Sequence, residues 1–157
     1  IPFMRTVAEG KRVIQVMAQQ GLKQADGLEI YAMCELPANV ARAEEFLRVF
    51  DGYSIGSNDL TQLVLGIDRD SGTVSHLFDE NDRAVLSLIA DVIDEAQRVR
   101  KPIGICGQAP SDFPEFARWL VEEGITSISL NPDTAIKTTL LIADEERRLV
   151  EQAASAA

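Results

Sequence analysis

The stretch from Asp82 to Arg100 narrows the possible folds of this chain most. Val85, Leu88, Ile89, Val92, Ile93, Ala96 and Val99 recur at helical spacing, one apolar stripe on a helix that is otherwise charged. A short apolar run follows at once, Pro102-Ile103-Gly104-Ile105-Cys106, with the character of a buried strand. The same alternation runs through the whole chain. Ile1 to Met4 reads as the last residues of a strand, with Thr6 capping a helix that carries Val7, Val13, Val16 and Met17 and stops at Gly21. Leu28 to Met33 is the next predicted strand and Ala38 to Leu47 the next helix. Tyr53 to Ile55, Pro102 to Cys106 and Ile125 to Leu130 complete the strands. Phe113 to Glu123, stopped by Gly124, and Thr134 to about Ala153 complete the helices, and the AASAA tail is expected to fray.

Strands that alternate with helices imply parallel βαβ units, so the fold class is α/β. Two architectures satisfy the pattern. A doubly wound sheet closes on itself at 157 residues, whereas a (β/α)8 barrel takes about 250, and periodicity does not choose between them.

A composition of 46% hydrophobic and 25% charged residues is that of a chain with a real core. The net charge of −10 excludes nucleic acid as a partner, because no basic face is available to displace counterions. The same charge repels an anionic substrate unless a metal ion or a placed arginine reverses the local field. No apolar run reaches the ~18 residues of a membrane span, and IPFMRTVAEG lacks the features of a signal peptide, so the expected location is cytoplasmic, with no membrane partner. Cys34 and Cys106 lack metal-site spacing and read as reduced thiols. Ile1-Pro2 opens without an initiator methionine, which suggests a piece of something longer.

The chemistry is expected at the carboxyl ends of the strands. In DGYSIGSNDLTQLVLGIDR, Asp51 to Arg69, a strand enters a turn of oxygen-rich residues, Gly56-Ser57-Asn58-Asp59, read as a catalytic loop. Glu35 and Asp59 follow two neighbouring predicted strands, so both carboxylates arrive at one rim, and two hard oxygen ligands with room for water suit Mg²⁺. The alternative makes Glu35 a solvated loop acid and Asp59 a helix cap. Asn58 offers an amide that donates and accepts, or is an ordinary turn residue. Cys106 ends a tight Gly-Ile-Cys-Gly segment, where Gly104 and Gly107 permit close approach of a ligand; it is either a buried small hydrophobe or a thiol placed to move a proton. Arg5 is either a carboxylate or phosphate ligand at the same rim or a surface ion-pair partner. Gln108, Ser111 and Asp112 follow as flanking contacts, and Arg69 as an anchor of the long polar loop IDRDSGTVSHLFDEND.

SIGSNDLTQ, with Gly66 and Arg69 after it, CELP (Cys34 to Pro37) and GICGQAPSD (Gly104 to Asp112) together resemble the signature of the phosphoenolpyruvate-utilising enzymes, nearly end to end. The resemblance implies that residues 1–157 are the C-terminal five β/α units of a (β/α)8 TIM barrel, the phosphoenolpyruvate/pyruvate-binding domain, without the phosphohistidine and ATP-binding domains. It implies Glu35 and Asp59 as Mg²⁺ ligands and Cys106 as the catalytic group at the pyruvate methyl carbon. Asn58, Arg5, Ser57, Gly104 and Gln108 make up the substrate-facing set, with Ser57 and Gln62 also open to structural roles. CELP and CGQAPSD point to the branch that makes phosphoenolpyruvate from pyruvate, ATP and water. The alternatives are the branch that uses inorganic phosphate, another member of the family, or a non-catalytic dimerisation module.

The implied partners are pyruvate or phosphoenolpyruvate and a phosphohistidine domain of the parent chain. Nothing around His76 resembles the phosphohistidine motif, so it is expected to be an exposed loop imidazole. By itself a partial barrel leaves sheet edges and apolar surface uncovered, so the fragment is expected to be catalytically inactive and to form a homo-oligomer or swapped species.

Overall fold

The computed structural model describes residues 1–25 and 27–155. β1 (Tyr31–Cys34), β2 (Gly52–Ile55), β3 (Ile103–Ile105) and β4 (Ser127–Ile128) form one parallel sheet in the order β1-β2-β3-β4. Helices lie between and around them: α1 (Val7–Gln19), α2 (Pro37–Ala41), α3 (Ala43–Leu47), α4 (Ser57–Leu65), α5 (Arg83–Arg98), α6 (Ala109–Asp112), α7 (Pro114–Glu122) and α8 (Ala135–Ser155). A 3₁₀ turn at Ser75–Leu77 interrupts the long loop after α4.

The expected first strand is reduced to one residue. Ile1 donates its amino group to the Tyr31 carbonyl at 2.8 Å and accepts from the Met33 amide at 2.8 Å, the hydrogen-bond pattern of a parallel bridge on the outer edge of β1. The sheet therefore has four strands and a bridging residue where five strands were expected. The helix expected from Ala38 to Leu47 is two, broken where Arg42 leaves helical geometry at φ −127° and ψ 30°. α6 was not expected, and α8 runs past Ala153 to Ser155. The end of the tail expected to fray, residues 156–157, lies outside the described residues.

Strand alternation sorts the sheet into two unlike faces. Register aligns Cys34, Ile55, Ile105 and Ile128 in one row. The first three are at most 1% exposed, and Ala32, Tyr53 and Ile103 share their face. This is the face the helices cover, with Val85, Ile89, Val92, Ile93 and Ala96 of α5 fully buried in the same core. Each large aliphatic side chain removed from water there contributes about 1.5–3 kcal/mol. The row on the opposite face is Met33, Ser54, Gly104 and Ser127, three small or polar residues and one methionine, none of them in the hydrophobic core that packs against the helices.

A doubly wound sheet reverses its strand order and carries helices on both faces. Here the order is sequential and one face carries the helices, an arrangement consistent with part of an α/β barrel. No helix among the described residues is long and apolar enough to cross a membrane.

Candidate active site

Parallel strands deliver their carboxyl ends to one rim, and Glu35, Gly56 and Cys106 each stand immediately past such an end, on three adjacent strands. Glu35 is 4% exposed although it follows the sheet edge. Its Oε1 accepts a 2.6 Å hydrogen bond from the Phe3 amide. Phe3 holds φ at 54°, the left-handed region that a bulky residue rarely adopts, so the turn after Ile1 aims this N–H at the carboxylate.

Asn39 fixes the same corner from below. Its Oδ1 accepts from the Glu35 and Leu36 amides at 3.2 and 2.9 Å, and its Nδ2 donates to the Met4 carbonyl at 2.6 Å. The fully buried Tyr53 hydroxyl donates to the Asn39 carbonyl at 3.2 Å.

Burial raises the Glu35 carboxyl above the usual carboxylate range; the Phe3 amide pulls it down and the Asp59 charge pushes it up. A desolvated carboxylate beside a second negative charge favours binding a proton or a cation. The donor set fits Mg²⁺, which accepts one or two carboxylates and keeps the remaining positions for water and substrate oxygens. Among the described residues no third His, Cys, Asp or Glu joins a metal-holding group.

Ser57, Asn58 and Asp59 are not a loop. They form the first turn of α4, which starts directly after Gly56, so these side chains are held by helical backbone. The fully buried Ser57 donates its hydroxyl to Glu80 Oε1 at 2.5 Å. The Asn58 carboxamide lies between Glu80 and Arg69. With its nitrogen turned to the acid, Nδ2 donates to Glu80 Oε1 at 3.1 Å and the amide oxygen accepts from Arg69 Nη1 at 2.6 Å. Gln62 Oε1 accepts from the Arg69 backbone amide at 3.2 Å.

The β3 side closes directly onto this turn. A methyl group at Gly107 would fall 1.6 Å from Ser57 Oγ and 3.2 Å from the Asn58 carboxamide. With the carboxamide turned the other way, the Gln108 amide would donate to its oxygen at 3.4 Å. Cys106 is exposed, with its amide bonded to the Ile55 carbonyl at 2.9 Å and its Sγ 3.6 Å from the same oxygen. Cys34, by contrast, is fully buried on the helix-covered face, and burial raises its thiol strongly.

Three residues from the expected set stand differently. Arg5 is engaged with Glu9 at the start of α1, Nε and Nη2 donating to Oε1 at 3.1 and 2.9 Å, the surface ion-pair alternative. The close neighbour of Gly104 is Ser127 of β4, whose Oγ would be 2.3 Å from a methyl group there, so that approach is taken by protein. Ser111 Oγ accepts from the Asn131 amide at 2.9 Å, tying α6 to the turn after β4. His76 is exposed in the 3₁₀ turn. Glu80, 6% exposed and at the centre of the Ser57–Asn58 contacts, was not expected at all; inside a polar loop an acid carries no local mark of burial.

The family model described as PEP-utilising enzyme, PEP-binding domain, matches residues 1–147. The chain belongs to that family. It is 57% identical over 150 residues to a phosphoenolpyruvate synthase of Aquifex aeolicus, covering 95% of this chain and 18% of that protein. It is 61% identical over 150 residues to the synthase of Synechocystis sp., again 95% of this chain and 18% of the relative. With the Escherichia coli synthase it shares 57% identity over 145 residues, 92% of this chain and 18% of the other. The chain thus spans under a fifth of the length of these relatives, as one PEP-binding domain of a larger enzyme would.

Proposed function

We propose that this domain is the pyruvate/phosphoenolpyruvate half-site of a phosphoenolpyruvate synthase, which converts ATP, pyruvate and water to AMP, phosphoenolpyruvate and phosphate. The observation that carries the reading is the convergence of Glu35, the Asn58–Asp59 turn and Cys106 past the ends of three adjacent parallel strands. The domain forms part of a (β/α)8 barrel, and the phosphohistidine domain that supplies the phosphoryl group belongs to the rest of the parent chain. The 157-residue piece is inactive by itself.

Glu35 and Asp59 are the residues that would hold Mg²⁺. A bound Mg²⁺ would polarise the keto oxygen of pyruvate and acidify the methyl group. The chain's own groups do the rest. The second Asn58 N–H, not used by Glu80, donates to a substrate oxygen, and the Ser57–Glu80 bond keeps this turn from shifting. Cys106, exposed beside the rim, takes a proton from the methyl carbon as thiolate and becomes the thiol; the electron pair left on carbon forms the C=C bond while the carbonyl π pair moves to the keto oxygen. That oxygen then attacks the phosphorus of phosphohistidine, breaking the P–N bond. In the reverse direction the thiol returns the proton.

Cys106→Ala in the full-length enzyme tests this. ATP-driven histidine phosphorylation is expected to survive while exchange of the pyruvate methyl protons with solvent disappears. Persistence of exchange removes Cys106 from its role.

A further inference from the structure

Between Ile67 and Asp82 the chain is polar and mostly open to solvent, and Glu80 alone is buried there. A connection between α4 and α5 has no need to take an ionisable acid out of water, which costs free energy unless donors surround it. Donors do surround it: the Ser57 hydroxyl and the Asn58 carboxamide nitrogen at the start of α4, with the Ala109 amide at the start of α6 close by. Burial and the Asp112 charge raise this carboxyl, while Ser57 and Arg69, which faces the other end of the Asn58 amide, pull it down.

We propose that Glu80 is a positioning residue for the phosphoenolpyruvate/pyruvate reaction, acting through Asn58. A carboxamide has an acceptor end and a donor end of nearly equal shape, so packing alone does not decide which way it faces. Glu80 Oε1 accepts from the Asn58 nitrogen and the Arg69 guanidinium only donates, so the reversed amide sets oxygen against oxygen and N–H against N–H, and gains only the 3.4 Å contact from the Gln108 amide. The amide is thereby locked with its nitrogen inward. One N–H goes to Glu80 and the other remains for an anionic substrate oxygen. The same carboxylate holds the turn after β2 and lies beside the start of α6, the element that follows Cys106.

The inference rests on the reading that Asn58 binds substrate, and the test separates the two. In the full-length enzyme, Glu80→Gln keeps the volume of the side chain and replaces an acceptor-only group with one that also donates. Glu80→Gln, Asn58→Ala and the double variant form a cycle read by kcat/KM for pyruvate and, in parallel, by the rate of ATP-driven histidine phosphorylation. Glu80→Gln is expected to lower kcat/KM for pyruvate about thirtyfold, the range of a hydrogen bond to a charged group. The double variant is expected to be no worse than Asn58→Ala, because a group acting through Asn58 has nothing left to orient. Histidine phosphorylation stays at the wild-type rate throughout.

Losses that multiply in the double variant, or wild-type kcat/KM in Glu80→Gln with a clear loss in Asn58→Ala, overturn the role of Glu80 and leave the substrate role of Asn58 standing. Wild-type kcat/KM in Asn58→Ala overturns both. If Glu80→Gln is not recovered folded, Glu80→Asp, which keeps the charge on a shorter arm, takes its place in the same cycle with the same non-additivity required.

Discussion

Gly56 lies flat against the side chain of Glu35: a methyl group at position 56 would stand 2.8 Å from Oε2 and 2.9 Å from Cβ. The glycine holds no left-handed conformation, with φ at −91°, so space is what excludes a side chain. It is the contact through which the end of β2 sets the carboxylate that leaves β1. Gly56→Ala should therefore act on the site and on stability together. The overpacking costs about 1–3 kcal/mol, and the displaced carboxylate should bind Mn²⁺, used as a probe for Mg²⁺, more weakly. Urea unfolding and a Mn²⁺ titration read the two effects. Wild-type values in both would contradict the packing described.

The raised Glu35 carboxyl gives stability a pH dependence of known sign. The unfolded chain releases this proton near the ordinary glutamate value of about 4.3, while the folded protein retains it to higher pH. The stabilisation is therefore complete below that value and is lost as pH rises through the higher folded one. Glu9, Glu45, Glu95 and Glu145, lowered by hydrogen bonds to their arginine partners, have the opposite sign, and they are common to wild type and variant. In metal-free protein, the urea midpoint of wild type relative to Glu35→Gln should fall as pH rises across this window. A cation must displace the same proton, so Mg²⁺ affinity should climb over that window and stay flat in Glu35→Gln. A difference curve without slope would falsify the burial of Glu35 as an ionisable group.

Asn39 is fully buried and joins the Glu35 amide, the Leu36 amide and the Met4 carbonyl. Asn39→Ala leaves all three backbone groups without these partners, and about 2–4 kcal/mol of stability should be lost. Because the freed segment carries Phe3, whose amide holds Glu35, hydrogen exchange at Phe3 and Glu35 should accelerate more than exchange in the middle of α5. Uniform acceleration would mean that Asn39 supports the fold without favouring this corner.

Expressed as 157 residues, the polypeptide should associate. The sheet face that carries Met33, Ser54, Gly104 and Ser127 lies outside the hydrophobic core that packs against the helices, and Ile136, Leu140 and Val150 of α8 are 80%, 63% and 70% exposed. Large apolar side chains exposed along one helix favour association. Light scattering coupled to size exclusion measures the mass; a monodisperse particle of 17.2 kDa would count against the expectation.

The sequence by itself determined the elements whose environment repeats within a few residues. The α5 stripe, the apolar strand cores and the glycine stops were legible because the alternation of water and core is written at the spacing of the helix or strand itself. It also determined that Glu35, Asp59 and Cys106 follow strands, which in a parallel sheet is enough to send them to one end. Tertiary structure decided the rest. That one sheet face carries the helices, that Arg5 spends its guanidinium on Glu9, and that Ser127 fills the space at Gly104 depend on which elements become neighbours, and no local pattern encodes that. Glu80 and Asn39 are the sharpest cases. Each is a polar residue in a polar context, and each is satisfied in part by a group more than twenty residues away, the Met4 carbonyl for Asn39 and the Ser57 hydroxyl for Glu80, which arrives only once the chain has folded.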